Sequence, residues 1–352
     1  MHRNVLIVLV INVLVSTIIV VSSSHWFSVW VGLEMNTLSV LPVLCYQFSP
    51  RSVESTVKYF LVQSFSAAMI LNAAVIQAWL YSSWSVMQPL NALTSLVMTL
   101  AISLKLGLFP CHYWFPDVIQ GVGFLQGLLL STWQKLAPFV VVVYISGSIS
   151  VGVLSVLGVL SVLVGGWGGL NQTQVRKILA FSSISHIGWI SSVVGYSTEL
   201  SCLMLFVYIV LNSGVFVLSN EFSLNSLSGL SRLGFVNPVG GFCLILSILS
   251  LGGLPPLFGF VTKFMALECL VGNNAFVVSG FLIAGSLLSL FFYLRVAFNS
   301  SLVFFPQHVL SMFTWRMVGG SGFSLYGAVL SFLISLSLLG LSSFPVFVAF
   351  LN

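Results

Sequence analysis

Four ionisable residues stand inside apolar runs, where a charge is costly: Glu34 in "WFSVWVGLEMNTLSVLPVLC", Lys105 in "SLKLGLFPCHYW", Lys135 in "LLLSTWQKLAPFVVVVYI" and Lys263 in "SLSLGGLPPLFGFVTKF". Two histidines accompany them, His112 just past a glycine and a proline and His186 in "FSSISHIGWI". The chemistry open to this set is proton transfer. Burial and neighbouring charge together decide whether such a group keeps its proton, so a desolvated lysine with a movable carboxylate neighbour is a proton switch. Histidine titrates near neutrality and can bridge relay steps, although most such histidines are packing residues. No metal site is expected, because lysine is a poor metal ligand and the carboxylates are not clustered.

What must position these groups follows from composition. The 352 residues are 58% hydrophobic and only 5% charged, with a mean hydropathy of +1.12. A water-exposed domain cannot cover its surface with so few charges, so the chain is expected to live in lipid. Spanning a hydrocarbon core takes about 20 apolar residues per helix. Runs of that kind are centred on 5–21, 26–45, 56–80, 91–109, 125–146, 150–169, 176–195, 199–219, 240–262, 275–297 and 324–347, which predicts eleven transmembrane helices. His2 and Arg3 make a thin basic region with no convincing cleavage site after the first run, which is therefore read as a spanning helix and not as a signal peptide.

Threading the runs alternately places Arg3, Arg51, Lys58, Arg176, Lys177, Arg232, Arg295 and Arg316 at one side and Glu199 and Glu268 at the other. The positive-inside rule then puts the N-terminus on the cytoplasmic or matrix side. These topology charges account for the net charge of +5, so no nucleic-acid partner is implied. Glu54 and Lys58 are spaced as a helix-end ion pair, and Asp117, after Pro116, is expected to cap a helix.

Glu34, Lys105, Lys135 and Lys263 remain unexplained by topology. A charge at the centre of a bilayer helix costs roughly 2.5 to 3.5 kcal/mol, so the four are expected to face protein, water or one another. Snorkelling and structural ion pairs are the plainer alternatives. Helix breakers lie beside two of the lysines: Gly107 and Pro110 after Lys105, and Gly252, Gly253, Pro255, Pro256 and Gly259 before Lys263. Proline removes a backbone donor and glycine tolerates unusual dihedrals, so both helices are expected to unwind at mid-depth. The interruptions fall five segments apart, and an odd offset predicts an inverted repeat. The expected layout is a first five-helix half over 1–148, broken near 105–116; a second over 149–298, broken near 252–263; and a connection and C-terminal helix over 299–352.

Cys45, Cys111, Cys202, Cys243 and Cys269 are scattered and form no C-x-x-C pair. No G-x-G-x-x-G or P-loop is present, so any redox cofactor is expected elsewhere.

The stretches "SSHWFSVWVGLEMN", "PRSVESTVKYFLVQS", "KLGLFPCHYWFPDVIQG", "TWQKLAPF", "GGWGGLNQTQVRKILAFSSISHIGW" and "LSLGGLPPLFGFVTKF" resemble the mitochondrially encoded NADH dehydrogenase subunit 2 family, antiporter-like membrane subunits of respiratory complex I. The resemblance is dense over 23–64, 103–139, 165–190 and 250–265, thin over 197–240 and weak after about 298. It implies that Glu34 is the channel glutamate, Lys135 the central lysine, and Lys105 and Lys263 the lysines of the two broken helices. It further implies proton translocation across the mitochondrial inner membrane, driven by NADH oxidation and ubiquinone reduction in other membrane and peripheral subunits. FMN and iron–sulfur clusters would sit in those subunits and no cofactor in this chain. Bacterial relatives would have three more N-terminal helices, and the lack of an import sequence fits synthesis inside the organelle. A stand-alone cation/proton antiporter and an inert scaffold subunit are the competing readings.

Overall fold

The computed structural model of the chain describes residues 3–230 and 238–301. Every regular element in them is helical; the only β pairings are isolated bridges, His25 with Ser85 and Gln174 with Ser226. In chain order the helices are α1 (Arg3–Ser22), α2 (Trp26–Leu44), α3 (Pro50–Tyr81), α4 (Ala92–Leu106), α5 (Trp114–Gly121), α6 (Phe124–Ser131), a 3-10 turn (Trp133–Lys135), α7 (Leu136–Ile145), α8 (Val151–Leu170), α9 (Val175–Val194), α10 (Thr198–Glu221), α11 (Pro238–Gly252), α12 (Phe258–Gly272) and α13 (Phe276–Ser301). Eight stretches among the described residues are long and apolar enough to cross a bilayer, with α6 to α7 counted as one. The predicted segment at 324–347, Arg232 and Arg316 lie outside the described residues.

The predicted fourth and ninth segments are the ones that fall short of a full span. α4 and α11 are 15 residues each. Both end on a glycine in the left-handed region, Gly107 at φ 74° and Gly253 at φ 80°, where a side chain would be strained. The closing hydrogen bonds match. Gly107 N–H donates to Leu104 O at 3.3 Å and Leu108 N–H to Ser103 O at 2.9 Å; Gly253 N–H donates to Ser250 O at 3.1 Å and Leu254 N–H to Leu249 O at 3.4 Å. This is the Schellman arrangement, which satisfies two carbonyls of the last turn and leaves the final ones for other donors. A cis X–Pro bond follows three residues after each glycine, at Phe109–Pro110 and Pro255–Pro256.

At the middle of the bundle lies α9, with 83% of its apolar window buried against 22% for α1. Small residues let α8 approach it closely: a Cβ at Gly165 would come within 2.9 Å of the Phe181 carbonyl, and one at Gly166 equally near that of Gly285 on α13. Such contacts are how helices associate where lipid removes the hydrophobic drive between them. Ser182, Ser183, Ser185, Ser191 and Ser192 on α9 are all buried, and each returns its hydroxyl to a carbonyl three residues back, so these hydroxyls are satisfied within the helix.

The charges divide between the ends of the bundle. At one end Arg51, Glu54 and Lys58 face Asp117 and Gln120 across a cavity of about 250 Å³, Arg176 donates to the Val122 carbonyl, and Arg295 closes α8 by donating to Leu170 O and Gln172 O, both at 2.6 Å. At the other end Glu199 and Glu268 line a cavity of about 570 Å³. Lys58 pairs with Glu54 at 2.8 Å, as the spacing predicts. Asp117 does not cap its helix, because α5 already starts at Trp114; the residue falls inside the first turn and its carboxylate lies 3.8 Å from Lys58 Nζ.

Candidate functional site

Each lysine sits where the helical backbone is interrupted, and each amine is met by neutral groups. Lys105 is buried in the last turn of α4, two residues before Gly107. Its Nζ lies 3.5 Å from both the backbone and side-chain oxygens of Gln63 on α3, at the outer limit of hydrogen bonding, and Gln63 Nε2 donates back to Lys105 O at 3.4 Å. Glu34, half-buried on α2, accepts from Thr37 Oγ1 at 3.2 Å and acts electrostatically on Lys105 and Tyr59. The ion pairs among the described residues are those of Lys58 with Glu54 and Asp117, so the attraction between Glu34 and Lys105 acts across a gap.

Lys135 occupies an interruption that the reading of glycine and proline clusters missed. It ends the 3-10 turn Trp133–Lys135 between α6 and α7. The signal was Pro138 in "TWQKLAPF": it has no N–H to donate to the carbonyl four residues earlier, that of Gln134. The amine lies 4.4 Å from the ring centre of Phe115 on α5, 5.6 Å from that of Tyr208 on α10, and 3.5 Å from the Ser183 carbonyl on α9. Two aromatic faces and a carbonyl favour a cation without fixing a counter-ion beside it.

Lys263, on α12, reaches back across the second break and donates to Gly252 O at 2.9 Å and Leu251 O at 3.4 Å. Its ammonium thus lies at the negative end of α11, where a cation is favoured. His186 on α9 shares a small cavity with Leu251 and Lys263. Its Nε2 is 3.3 Å from Tyr293 Oη, and its ring centre is 5.4 Å from that of Tyr208. His186, Tyr208, Leu251, Thr262 and Lys263 line a cavity of about 10 Å³, at the lower limit for one water. His112, by contrast, stays within its own break: Nδ1 is 3.2 Å from Pro110 O and the ring packs against Phe109 and Tyr113.

The structure therefore brings together Lys135, His186 and Lys263 on one side and Glu34 and Lys105 on the other. Neutral polar residues that carry no formal charge stand between and beside them: Gln63, Tyr59, Gln134, Asn36, Tyr208 and Tyr293. Tyr208 Oη donates to Ser131 O at 3.0 Å and accepts from Asn212 Nδ2 at 3.3 Å.

Residues 23–290 match the family described as "NADH:quinone oxidoreductase/Mrp antiporter, TM", and residues 290–348 match "NADH dehydrogenase subunit 2 C-terminus". The chain is 65% identical to NADH-ubiquinone oxidoreductase chain 2 of Patiria pectinifera over the full length of both, and 39% identical to that of Bos taurus over 90% of this chain and 91% of the relative. Its fold matches a chain of respiratory complex I from Thermus thermophilus with a TM-score of 0.83 at 24% identity, over 98% of this chain and 80% of that one. A chain of the Mrp complex of Dietzia sp. matches with a TM-score of 0.77 at 18% identity, over 83% and 59% respectively. With a family match over most of its length and a close full-length relative, the chain belongs to the NADH-ubiquinone oxidoreductase chain 2 family, within the antiporter-like membrane proteins.

Proposed function

We propose that the chain is a core membrane subunit of the proton-translocating NADH:ubiquinone oxidoreductase of the mitochondrial inner membrane, and that it moves protons through a relay of Glu34, Lys105, Lys135 and Lys263, with His186 between the last two. The observation that carries this reading is that, among the described residues, neither buried Lys105 and Lys135 nor half-buried Lys263 has a carboxylate within ion-pairing distance, whereas surface Lys58 has two. An amine held by carbonyls and ring faces can give up and regain a proton without breaking an ion pair. Irregular backbone beside each lysine supports the same reading, since unpaired carbonyls at membrane depth are tolerated only against protein or water.

The finer layout belongs to the same proposal. Eleven spans form two inverted five-helix halves, 1–148 and 149–298, followed by 299–352, with the N-terminus and the Arg51, Arg176 and Arg295 end on the matrix side. The matching closures at Gly107 and Gly253 support the repeat. Lipid and the other membrane subunits surround the bundle, and NADH, FMN, the iron–sulfur clusters and ubiquinone are handled by other subunits.

The relay is tested by Lys135→Met in the assembled complex, measuring protons moved per NADH oxidised. The expected result is a lower ratio with the complex still assembled. An unchanged ratio would instead make the chain a scaffold with an inert polar centre.

A further inference from the structure

Gln134 makes two hydrogen bonds that nothing in the relay requires. It accepts from Tyr59 Oη on α3 at 3.1 Å and donates through Nε2 to Asn36 Oδ1 on α2 at 3.0 Å. Tyr59 and Asn36 are both 2% exposed, so these bonds are made away from solvent. The turn that carries Gln134 needs such support. Pro138 cannot donate to the Gln134 carbonyl, and Lys135 N–H reaches only to Thr132 O at 3.2 Å in a tighter 3-10 bond. The backbone ladder is therefore weakest where Lys135 sits, and a side-chain clamp takes its place.

The clamp reaches the other charged groups as well. Tyr59 and Gln63 are one turn apart on the same face of α3, and Gln63 is the residue that holds Lys105. Asn36 follows Glu34 by two positions on α2. We infer that Gln134 is a positioning residue for proton transfer: clamped by Tyr59 and Asn36, it keeps Lys135 Nζ among Phe115, Ser183 and Tyr208, and it ties that position to the helices that carry Glu34 and hold Lys105. The inference rests on the relay reading above.

The test compares Gln134→Leu, Gln134→Glu and Tyr59→Phe with Lys135→Met in the assembled complex, following quinone-linked proton translocation from pH 6 to 8 per bound flavin. The titratable groups nearest Gln134 and its partners are Tyr59 on α3, Glu34 two positions before Asn36 on α2, and Lys135 next in the chain, and all three are retained in the Gln134 variants. Gln134→Leu should lower the rate on the order of tenfold at every pH, short of the roughly hundredfold that misplacing a reacting group by about an ångström can cost. Tyr59→Phe, which removes only the hydroxyl, should fall between that variant and the wild type even where Gln134→Leu fails to assemble. Gln134→Glu should recover as pH falls, because a protonated carboxyl both accepts from Tyr59 and donates to Asn36, as the amide does. Wild-type rates in Tyr59→Phe and Gln134→Glu across this range, with Lys135→Met impaired, would overturn the inference and leave the relay standing. Wild-type rates in Lys135→Met as well would remove the relay itself.

Discussion

The two breaks are built alike and used differently. Each closes a 15-residue helix with a left-handed glycine, a leucine and a proline three residues on. Yet Lys105 lies on the arm before its break and Lys263 on the arm after. What differs physically is the group that meets the end of the first arm. In the second break the lysine does so, on Leu251 O and Gly252 O. In the first, Trp114 Nε1 donates to Leu104 O at 3.1 Å, so Lys105 is free to turn toward Gln63 and Glu34. One backbone device thus serves two electrostatic purposes: in one case its carbonyls hold the Lys263 amine, and in the other a tryptophan covers a carbonyl so that the Lys105 amine can look elsewhere.

That contrast is broken most severely at Lys263. Lys263→Met should lower proton translocation and also leave the buried Gly252 carbonyl without its 2.9 Å partner, at a cost of roughly 1 to 3 kcal/mol. Lys105→Met should lower translocation with little loss of stability, since its amine makes only long contacts to Gln63. Thermal unfolding of the two assembled variants measures the difference; equal shifts would mean that the arms are equivalent after all.

The glycines sharpen it at smaller scale. Alanine at either would cost about 1 to 2 kcal/mol of backbone strain. At Gly107 the new Cβ would lie 3.4 Å from Phe115 Cβ, an ordinary contact. At Gly253 it would lie 3.0 Å from Lys263 Cδ and 3.1 Å from Nζ, so the lysine must move. Gly253→Ala is therefore expected to impair translocation as well as stability, and Gly107→Ala chiefly stability.

Both breaks and all three lysines were legible in the sequence, because glycine, proline and a charge in an apolar run are local signals that context rarely overrides. Lys135 was legible as a charge but not as a break: its only mark was Pro138, whose effect falls four residues back. The clamp around Gln134 was not legible at all. Tyr59 and Gln134 are 75 residues apart and Asn36 and Gln134 are 98 apart, and a neutral amide in an apolar helix announces no partner. Tyr208 and Tyr293 were passed over for the same reason, since among so many aromatic residues their hydroxyls find His186 and Ser131 only through the packing of α9, α10 and α13. Asp117 was misassigned as a cap because the start of α5 is set by the backbone bond from Phe115 N–H to His112 O and not by proline spacing.

Asp117 also supplies the smallest test. Counted from the left-handed glycine it stands ten residues on, as Lys263 does in the second break. The same register holds a half-buried base after the second break and an acid at the bundle surface after the first. Asp117 is 54% exposed and 3.8 Å from Lys58, which already has Glu54 at 2.8 Å. A solvent-screened second partner adds little to such a pair. Asp117→Asn should therefore leave both the melting temperature and the protons moved per NADH at their wild-type values. A loss of translocation in this variant would instead make the surface cluster of Arg51, Glu54, Lys58 and Asp117 part of the proton path, and the difference between the two breaks would then be one of depth and not of purpose.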